Sequence, residues 1–465
     1  MKKLSIASCV ALLLAATAAG ATEDTLNFGR FGKVTLYRQT PHPAHVAVFV
    51  SGDGGWNLGV VDMARTLAGL DALVIGIDIT HYLKQLEAAD DKCSYPAADF
   101  EALSQYVQKR LDMPTYTPPV LVGYSSGATL VYAILVQAPP NTFAAAMSLG
   151  FCPDLPLTKE FCKGNGLEWM AGPKGKGFSF LPAPELEMPW VAFQGVIDQV
   201  CDVAIVETYV QHVGNGRLVS LPKVGHGFSV PRNWLPQFKQ AFLEITARQD
   251  KSAIPTGGPV DDLPLVEVPT KGEETSDLAV IVSGDGGWAS IDRQIGSALA
   301  GRGIRVVGVN SLKYFWKRRT PDEAGRDLER ILRHYLTIWK KEKAILIGYS
   351  RGADVLPFMA NRLPADLLSS VSLVALIGPE RTIDFQFHLT DWLGNPSRKT
   401  DLAVGPEVAK LKGMKVLCLY GDDEMESLCR DLDPKAVTII ARKGGHHFGG
   451  DYQALAESIV AESRP

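Results

Sequence analysis

Two pentapeptides, GYSSG at Gly123–Gly127 and GYSRG at Gly348–Gly352, hold a serine with a glycine two residues away on each side. Each follows an apolar run and precedes a helix-forming stretch, the setting in which a strand bends sharply into a helix and exposes the serine oxygen. A serine hydroxyl is a poor nucleophile at neutral pH. It needs a histidine base, itself oriented by a carboxylate. Downstream of Ser125 come FQGVIDQVC and LPKVGHGF, which supply Asp198 and His226. Downstream of Ser350 come LYGDDEMESLC and IARKGGHHFGG. Aligning KVGHGF with KGGHHF selects His446 over His447 as the second base. Asp198 lies three residues after Gly195, and the same step from Gly421 reaches Glu424, with Asp422 and Asp423 as adjacent alternatives that the sequence leaves open.

A second repeated motif stands earlier in each half. SGDGGW occurs at Ser51–Trp56 and again at Ser283–Trp288, each time after an apolar run. A glycine-rich turn after that strand is where one oxyanion-binding N–H originates, the other coming from the residue after the nucleophile. The expected donors are therefore the backbones of Asp53, Gly54 and Ser126 in the first half and of Asp285, Gly286 and Arg351 in the second. The aspartates have two open readings. They are turn or capping residues facing their own backbone, or they receive a cation on the substrate.

The elements that must position these residues repeat in the same order. After the first SGDGGW come a helix to about Gly69, the strand ALVIGIDI, a helix near Ala97–Leu111 and the strand that leads to Ser125. After the second come a helix to about Gly303, the strand IRVVGVN, a helix around Asp322–Lys340 and the strand that leads to Ser350. β-branched runs alternating with helices indicate a mostly parallel sheet covered on both faces. The expected fold is α/β, as two tandem α/β-hydrolase domains. The first spans 22–250 and the second 265–465, joined by a Pro-, Gly- and charge-rich linker over 251–264.

The 465 residues are 46% hydrophobic and 21% charged, a globular composition. The opening MKKLSIASCVALLLAATAAGA has the basic start, short apolar run and A-x-A ending of a signal peptide, so residues 1–21 are expected to be removed and the mature chain to be exported. Their removal takes the formal charge from −4 to −6 and the cysteines from seven to six. An even count in an exported chain points to disulfides. Cys418 and Cys429 are the pair available in the second half, whereas Cys93, Cys152, Cys162 and Cys201 leave three pairings open. No zinc-type spacing occurs, so neither metal nor cofactor is expected, and the mild acidity argues against nucleic acid as a partner.

One basic aromatic run, LKYFWKRR at Leu312–Arg319, follows a strand of the second half at the edge where ligands of such sheets bind. Lys313 and its neighbours would suit an anionic headgroup. The alternative is a solvated charge run beside core aromatics.

Taken together, the exported N-terminus, SGDGGW, GYSRGADVLPF, the YGDDE segment ending at Cys429 and GGHHFGG resemble the bacterial virulence protein VirJ family. The duplicated layout is similar to its AcvB members, whose C-terminal half is the VirJ-like part. The resemblance covers essentially the whole mature chain. It implies a periplasmic α/β-hydrolase that removes the aminoacyl group of lysyl-phosphatidylglycerol, with Ser350 and His446 as catalytic residues, an aminoacylated anionic phospholipid at the membrane surface as substrate, and type IV secretion substrates as partners. Two other functions fit the residues: a binding module of a secretion system, and a serine esterase or peptidase of different specificity. The second half is expected to carry the main lipid hydrolysis, because it alone joins the elbow to Arg351 and to the basic aromatic run, while the first half has an insert from Cys152 to about Pro189.

Overall fold

Residues 45–50, HVAVFV, are buried at every position, as a strand must be when helices cover both faces of its sheet. In the computed structural model, which describes residues 22–253, 258–270, 272–388 and 401–464, this run is the third strand of an eight-stranded sheet. The strands are β1 (Thr22–Phe28), β2 (Gly32–Arg38), β3 (His45–Val50), β4 (Ala72–Ile77), β5 (Val120–Tyr124) and β6 (Ala145–Leu149). A small antiparallel sheet of β7 (Asp154–Leu155), β8 (Trp169–Ala171) and β9 (Phe178–Phe180) intervenes before β10 (Trp190–Gly195) and β11 (Gly216–Leu221). The main sheet runs β1-β2-β4-β3-β5-β6-β10-β11. It is parallel from β4 to β11, with β1 and β2 antiparallel at the edge. Helices α1 (Leu58–Ala68), α2 (Ile79–Ala88), α3 (Pro96–Arg110), α4 (Ser126–Gln137), α5 (Val203–Gln211) and α6 (Leu235–Ala253) cover it.

The second half repeats the plan without the outermost strand. Its strands are β12 (Leu265–Val268), β13 (Asp277–Val282), β14 (Arg305–Val309), β15 (Lys343–Tyr349), β16 (Val371–Ile377), the short pair β17 (Thr382–Ile383) and β18 (Leu402–Ala403), then β19 (Val416–Gly421) and β20 (Thr438–Arg442). The sheet order is β12-β14-β13-β15-β16-β19-β20, parallel except for β12. The helices are α7 (Ser290–Ala300), α8 (Ser311–Tyr314), α9 (Pro321–Ile338), α10 (Arg351–Ala360), α11 (Ala365–Leu368), α12 (Val404–Val408) and α13 (Tyr452–Ser463). Strand by strand the two orders coincide, so the chain is two tandem α/β-hydrolase domains.

Alternation along the strands divides each core in two. Val46, Val48 and Val50 face one helical layer, and Ala47 and Phe49 the other. Leu278, Val280 and Val282 are set against Ala279 and Ile281 in the same way. Local signals start the helices. Asp78 caps α2 by accepting from the amides of Thr80 and His81, and Thr320 and Glu323 form a capping box at α9, with Pro321 in its first turn.

Several features were not expected from the sequence: the edge strands β1 and β2, the helix α2, and the packing of the linker. Val260 and Leu263 join the second core, and Arg330 donates to the Pro259 carbonyl and the Asp262 carboxylate. The excursion between late strands is also not special to the first half. The second half has one of similar length between β16 and β19, part of it outside the described residues. The signal-peptide segment, residues 1–21, likewise lies outside them.

Candidate active site

The two serines occupy the same unusual backbone. Ser125 has φ 54° and ψ −123°, and Ser350 has φ 52° and ψ −123°, a region costly for a residue with a side chain. Each is the turn residue between a strand, β5 or β15, and a helix, α4 or α10, and each amide is held by the neighbouring strand. Ser125 N donates to Leu149 O at 2.9 Å, and Ser350 N to Ile377 O at 2.8 Å. The strain places both hydroxyls at the carboxyl edge of the sheet.

In the first half a full relay is assembled. Ser125 Oγ lies 2.9 Å from His226 Nε2, and His226 Nδ1 lies 2.9 Å from Asp198 Oδ2. Asp198 is buried and saturated with donors: Gln194 Nε2 at 3.0 Å on Oδ2, and the amides of Val200 and Cys201 at 2.8 and 3.0 Å on Oδ1. Tyr124 Oη donates to the His226 carbonyl at 3.0 Å, tying the histidine loop to the residue before the nucleophile. Such a constellation can transfer a proton from serine to histidine while the carboxylate fixes the tautomer.

In the second half one of the three adjacent carboxylates reaches the histidine. Glu424 Oε1 lies 2.5 Å from His446 Nδ1, and its other oxygen accepts from Gly421 N at 2.6 Å. Asp422 instead accepts from Gly444 N at 2.7 Å, bracing the histidine loop, and Asp423 is exposed. The Ser350–His446 hydrogen bond is absent among the described residues. Burial by itself would lower the His446 pKa, but the hydrogen bond and charge of Glu424 outweigh it and the net direction is up. Burial would likewise raise the Glu424 carboxyl, and the hydrogen bonds from His446 and Gly421 bring it below its ordinary value. His447 is pushed down by burial and by the charge of His446, and its Nδ1 lies 3.4 Å from Tyr349 Oη.

SGDGGW divides its labour between structure and site. Its serine is buried and ties the loop to the next crossover: Ile79 N donates to Ser51 Oγ at 3.1 Å, and Ser311 N to Ser283 Oγ at 2.9 Å. Its tryptophan lies across a glycine of the adjacent strand, Trp56 on Gly76 and Trp288 on Gly308, where any side chain would collide with the indole. Gly52 abuts Ser125 and Gly284 abuts Ser350, so that a Cβ at either would stand 3.0 and 3.5 Å from the serine Cβ. The loop amides at Asp53, Gly54, Asp285 and Gly286 are therefore carried next to the nucleophile. Those of Ser126 and Arg351 open α4 and α10, where N–H groups have no partner within the helix. Asp53 is exposed and Asp285 half-buried. The charge of Asp285 contributes to the upward direction at His446, Tyr349 and Asp354.

Other residues singled out by type lie elsewhere. The Arg351 side chain is buried and donates to the carbonyls of Asp384 at 2.9 Å and Gln386 at 3.3 Å, turned away from a lipid-facing role. In LKYFWKRR the aromatics Tyr314, Phe315 and Trp316 are buried, and Lys313, Lys317 and Arg318 are exposed. This is the arrangement of a charge run beside core aromatics, because the aromatics meet apolar surface from within the chain.

One functional pair was missed from the sequence. Gly150 and Gly378 follow β6 and β16 at φ 64° and 59° and lie directly under the histidine rings, with His226 Cε1 3.2 Å and His446 Cε1 2.8 Å from where a Cβ would be. The signal was present as SLGF and LIGP, a glycine ending the strand after each elbow.

All six cysteines after residue 21 are paired, as Cys93–Cys162, Cys152–Cys201 and Cys418–Cys429. Cys201 belongs to the loop that folds around Asp198, and Cys418 and Cys429 bracket the loop that carries Glu424. Each half thus has a disulfide at the loop of its histidine-bonded carboxylate. Among the described residues no group of three His, Cys, Asp or Glu side chains is placed to hold a metal ion, and no helix is long and apolar enough to cross a membrane.

The family model described as bacterial virulence protein (VirJ) matches residues 44–151 and 276–464. No curated protein matches. Among solved structures, the esterase domain of a Rhodothermus marinus protein is 17% identical with a TM-score of 0.33, covering 48% of this chain and 97% of that one. Est1E from Butyrivibrio proteoclasticus is 15% identical with a TM-score of 0.33, covering 49% and 99%. A dienelactone hydrolase from Anabaena variabilis is 18% identical with a TM-score of 0.35, covering 49% and 98%.

Proposed function

We propose that this chain, which belongs to the VirJ family of bacterial virulence proteins, is a serine hydrolase that cleaves the aminoacyl ester of lysyl-phosphatidylglycerol outside the cytoplasm. The observation that carries the hydrolase reading is the serine–histidine–carboxylate constellation on a strained elbow, fully hydrogen-bonded in the first half and built from equivalent elements in the second. The serine oxygen attacks the acyl carbon while the histidine Nε2 takes its proton. The elbow and loop amides receive the charge that develops on the carbonyl oxygen. The protonated histidine then gives its proton to the departing lipid hydroxyl, and a water, deprotonated by the same histidine, releases lysine from the acyl-enzyme.

The second half is the proposed site for the lysyl ester. The matched stretch there spans Ser350, Glu424 and His446, whereas in the first half it includes Ser125 and stops before Asp198 and His226. A half-buried Asp285 beside the nucleophile loop suits a cationic acyl group. Hydrogen bonds at serine nucleophiles are often long in free enzymes and tighten on binding, and closure of Ser350 onto His446 is the step the substrate must complete. Three disulfides support an oxidising compartment, which is where a lipid headgroup on the outer face of the inner membrane is reached. The test compares lipid extracts of cells with and without the protein, together with turnover of lysyl-phosphatidylglycerol by the purified chain. The reading requires accumulation of the aminoacylated lipid in its absence and release of free lysine in its presence.

A further inference from the structure

The basic aromatic run is spent inside the chain. Lys109 Nζ of α3 stands 4.3 Å from the centre of the Trp316 indole, and the indole N–H donates to Met113 O at 2.8 Å. Tyr116 packs against Trp316 with ring centres 5.3 Å apart, and these two close a buried apolar cluster with Leu312 and Phe387. The run is therefore a seam between the halves. Apolar side chains that do stand in solvent are found instead beside the first serine site.

The turns that carry the two histidine-bonded carboxylates are built alike. Val196 N donates to Leu221 O at 3.0 Å, and Asp422 N to Arg442 O at 2.7 Å. Ile197 N donates to Val224 O and Asp423 N to Gly444 O, both at 3.2 Å. Asp198 N returns to Gly195 O at 3.2 Å, and Glu424 N to Gly421 O at 2.9 Å. Counted along these turns, Val196, Ile197 and Val200 correspond to Asp422, Asp423 and Glu426, and all six are exposed. The backbone is shared, so the difference lies in the side chains. The second turn carries what a solvated turn ordinarily carries: Asp422 accepts from Gly444 N, Glu426 pairs with Arg381, and its one exposed apolar side chain is Met425. In the first turn Val196 is 46%, Ile197 61% and Val200 68% exposed. These three flank the relay. Val200 N donates to Asp198 Oδ1 at 2.8 Å, and the Ile197 carbonyl lies 3.6 Å from where a Cβ of Gly225 would be, next to His226. Apolar groups held in water beside a complete serine relay, where the same turn elsewhere in the chain is acidic, mark a surface that a ligand covers.

We propose that the first half is a hydrolytic site in its own right, for carboxylic esters that carry an apolar chain, with Ile197 and Val200 setting that preference. This rests on the hydrolase reading and gives Ser125 a substrate class different from that of Ser350. Ser125 Oγ bonds to the acyl carbon as the bond from that carbon to the alcohol oxygen breaks, and the serine proton passes through His226 to the alcohol. A water then takes the acyl group, which leaves as the carboxylic acid and restores the serine. The test uses the full-length Ser350→Ala protein, in which only the first site remains, and follows acid release from methyl acetate, hexyl acetate and methyl heptanoate. The expected result is a kcat/KM for at least one of the two chain-bearing esters about tenfold or more above that for methyl acetate. In the same protein carrying Ile197→Asn and Val200→Gln, which remove apolar surface without setting a charge beside His226, that preference falls toward one. Ile197→Leu with Val200→Ile keeps it. Turnover of methyl acetate with no preference for either longer ester overturns the proposal. So does a preference that Ile197→Asn with Val200→Gln leaves unchanged while all three rates fall together, which would make the turn only a support of Asp198. Failure of the hydrolase reading looks different: the intact protein cleaves neither these esters nor lysyl-phosphatidylglycerol, and Ser125 does not react with a fluorophosphonate probe.

Discussion

Replacing Glu424 by Gln, in a Ser125→Ala background that silences the first site, tests the second relay at its most informative point. Both Glu424 oxygens are committed as acceptors, one to His446 Nδ1 at 2.5 Å and one to Gly421 N at 2.6 Å. A glutamine can satisfy only one of these donors. If its carbonyl keeps Gly421 N–H, its NH₂ faces His446 Nδ1 and forces the proton onto Nε2, the nitrogen that must accept from Ser350. If its carbonyl keeps the histidine, its NH₂ opposes the Gly421 N–H, and a buried donor loses its partner at about 1–3 kcal/mol. The first orientation avoids that loss and is the one expected. A wrong tautomer in such a relay costs about 10⁴-fold in kcat with little effect on binding. The pH dependence supplies a second readout. His446 must be neutral to act as a base, and Glu424 is what raises its pKa against the opposing effect of burial. The acid limb of the parent therefore sits above the ordinary histidine value of about 6.5, and in the variant the residual rate should have its acid limb at lower pH. The assay is lysine release from lysyl-phosphatidylglycerol in detergent across pH 5 to 9. A variant within tenfold of its parent, or an acid limb that does not move, would refute the assignment of Glu424.

Ser350→Ala should lower lysyl-ester turnover by about 10⁴-fold or more, while Ser125→Ala leaves most of it; the reverse outcome would transfer the main activity to the first half. Gly378→Ala places a Cβ 2.8 Å from the His446 ring at a position with φ 59°, so kcat should fall at least tenfold while the reaction of Ser125 with a fluorophosphonate probe is unchanged. Replacing Cys418 and Cys429 with serine opens a short loop and should cost about 2–3 kcal/mol, read as a lower thermal midpoint of the second half and as faster proteolysis around Glu424. The Glu424–His446 pair also sets a stability window. The lowered Glu424 pKa contributes above the unfolded carboxylate value of about 4.3 and is lost as pH falls through the folded one. The raised His446 pKa contributes below about 6.5 and is lost as pH rises through its folded value. The difference in midpoint between parent and Glu424→Gln should therefore be largest near pH 5 to 6 and shrink by pH 8.

What the sequence made legible was local and repeated. A serine between glycines after an apolar strand has few structural meanings, and finding it twice, with SGDGGW at equivalent places, points to the elbow and the loop beside it. Among Asp422, Asp423 and Glu424 the choice stayed open because adjacent carboxylates differ only in where the turn after β19 aims them. The turn spends Asp422 on Gly444 N and leaves Glu424 at the histidine. The edge strand β1 escaped notice because TEDTLNF is exposed along its first four residues and half-buried only at Leu26 and Phe28, so it shows little apolar alternation. LKYFWKRR was read partly as a lipid-facing segment, since residue types cannot say whether an apolar surface meets a membrane or another domain. Its tryptophan meets Met113 and Tyr116, residues distant in the chain. Four cysteines in the first half permitted three pairings, and only the return of the Asp198 loop toward Cys152 selects one.

The seam also bears on why one chain holds the same machinery twice. The two elbows agree within a few degrees, so the backbone that exposes the nucleophile did not diverge. The surroundings did. A contact between two copies that used the same patch on each would treat both sites alike. Here Lys109 of α3, Met113 and Tyr116 of one copy meet Leu312, Trp316 and Phe387 of the other, with Trp316 Nε1 donating to Met113 O at 2.8 Å; these are different surfaces, so the contact is head to tail. It follows that the seam bears unequally on the two halves, while each nucleophile and base belong to one half alone. Replacing Trp316 by Ala, which touches no catalytic group, should then change the rates of the two sites unequally, read on one neutral ester in Ser125→Ala and Ser350→Ala backgrounds. An equal loss at both sites would show that the seam is only a structural support of the chain.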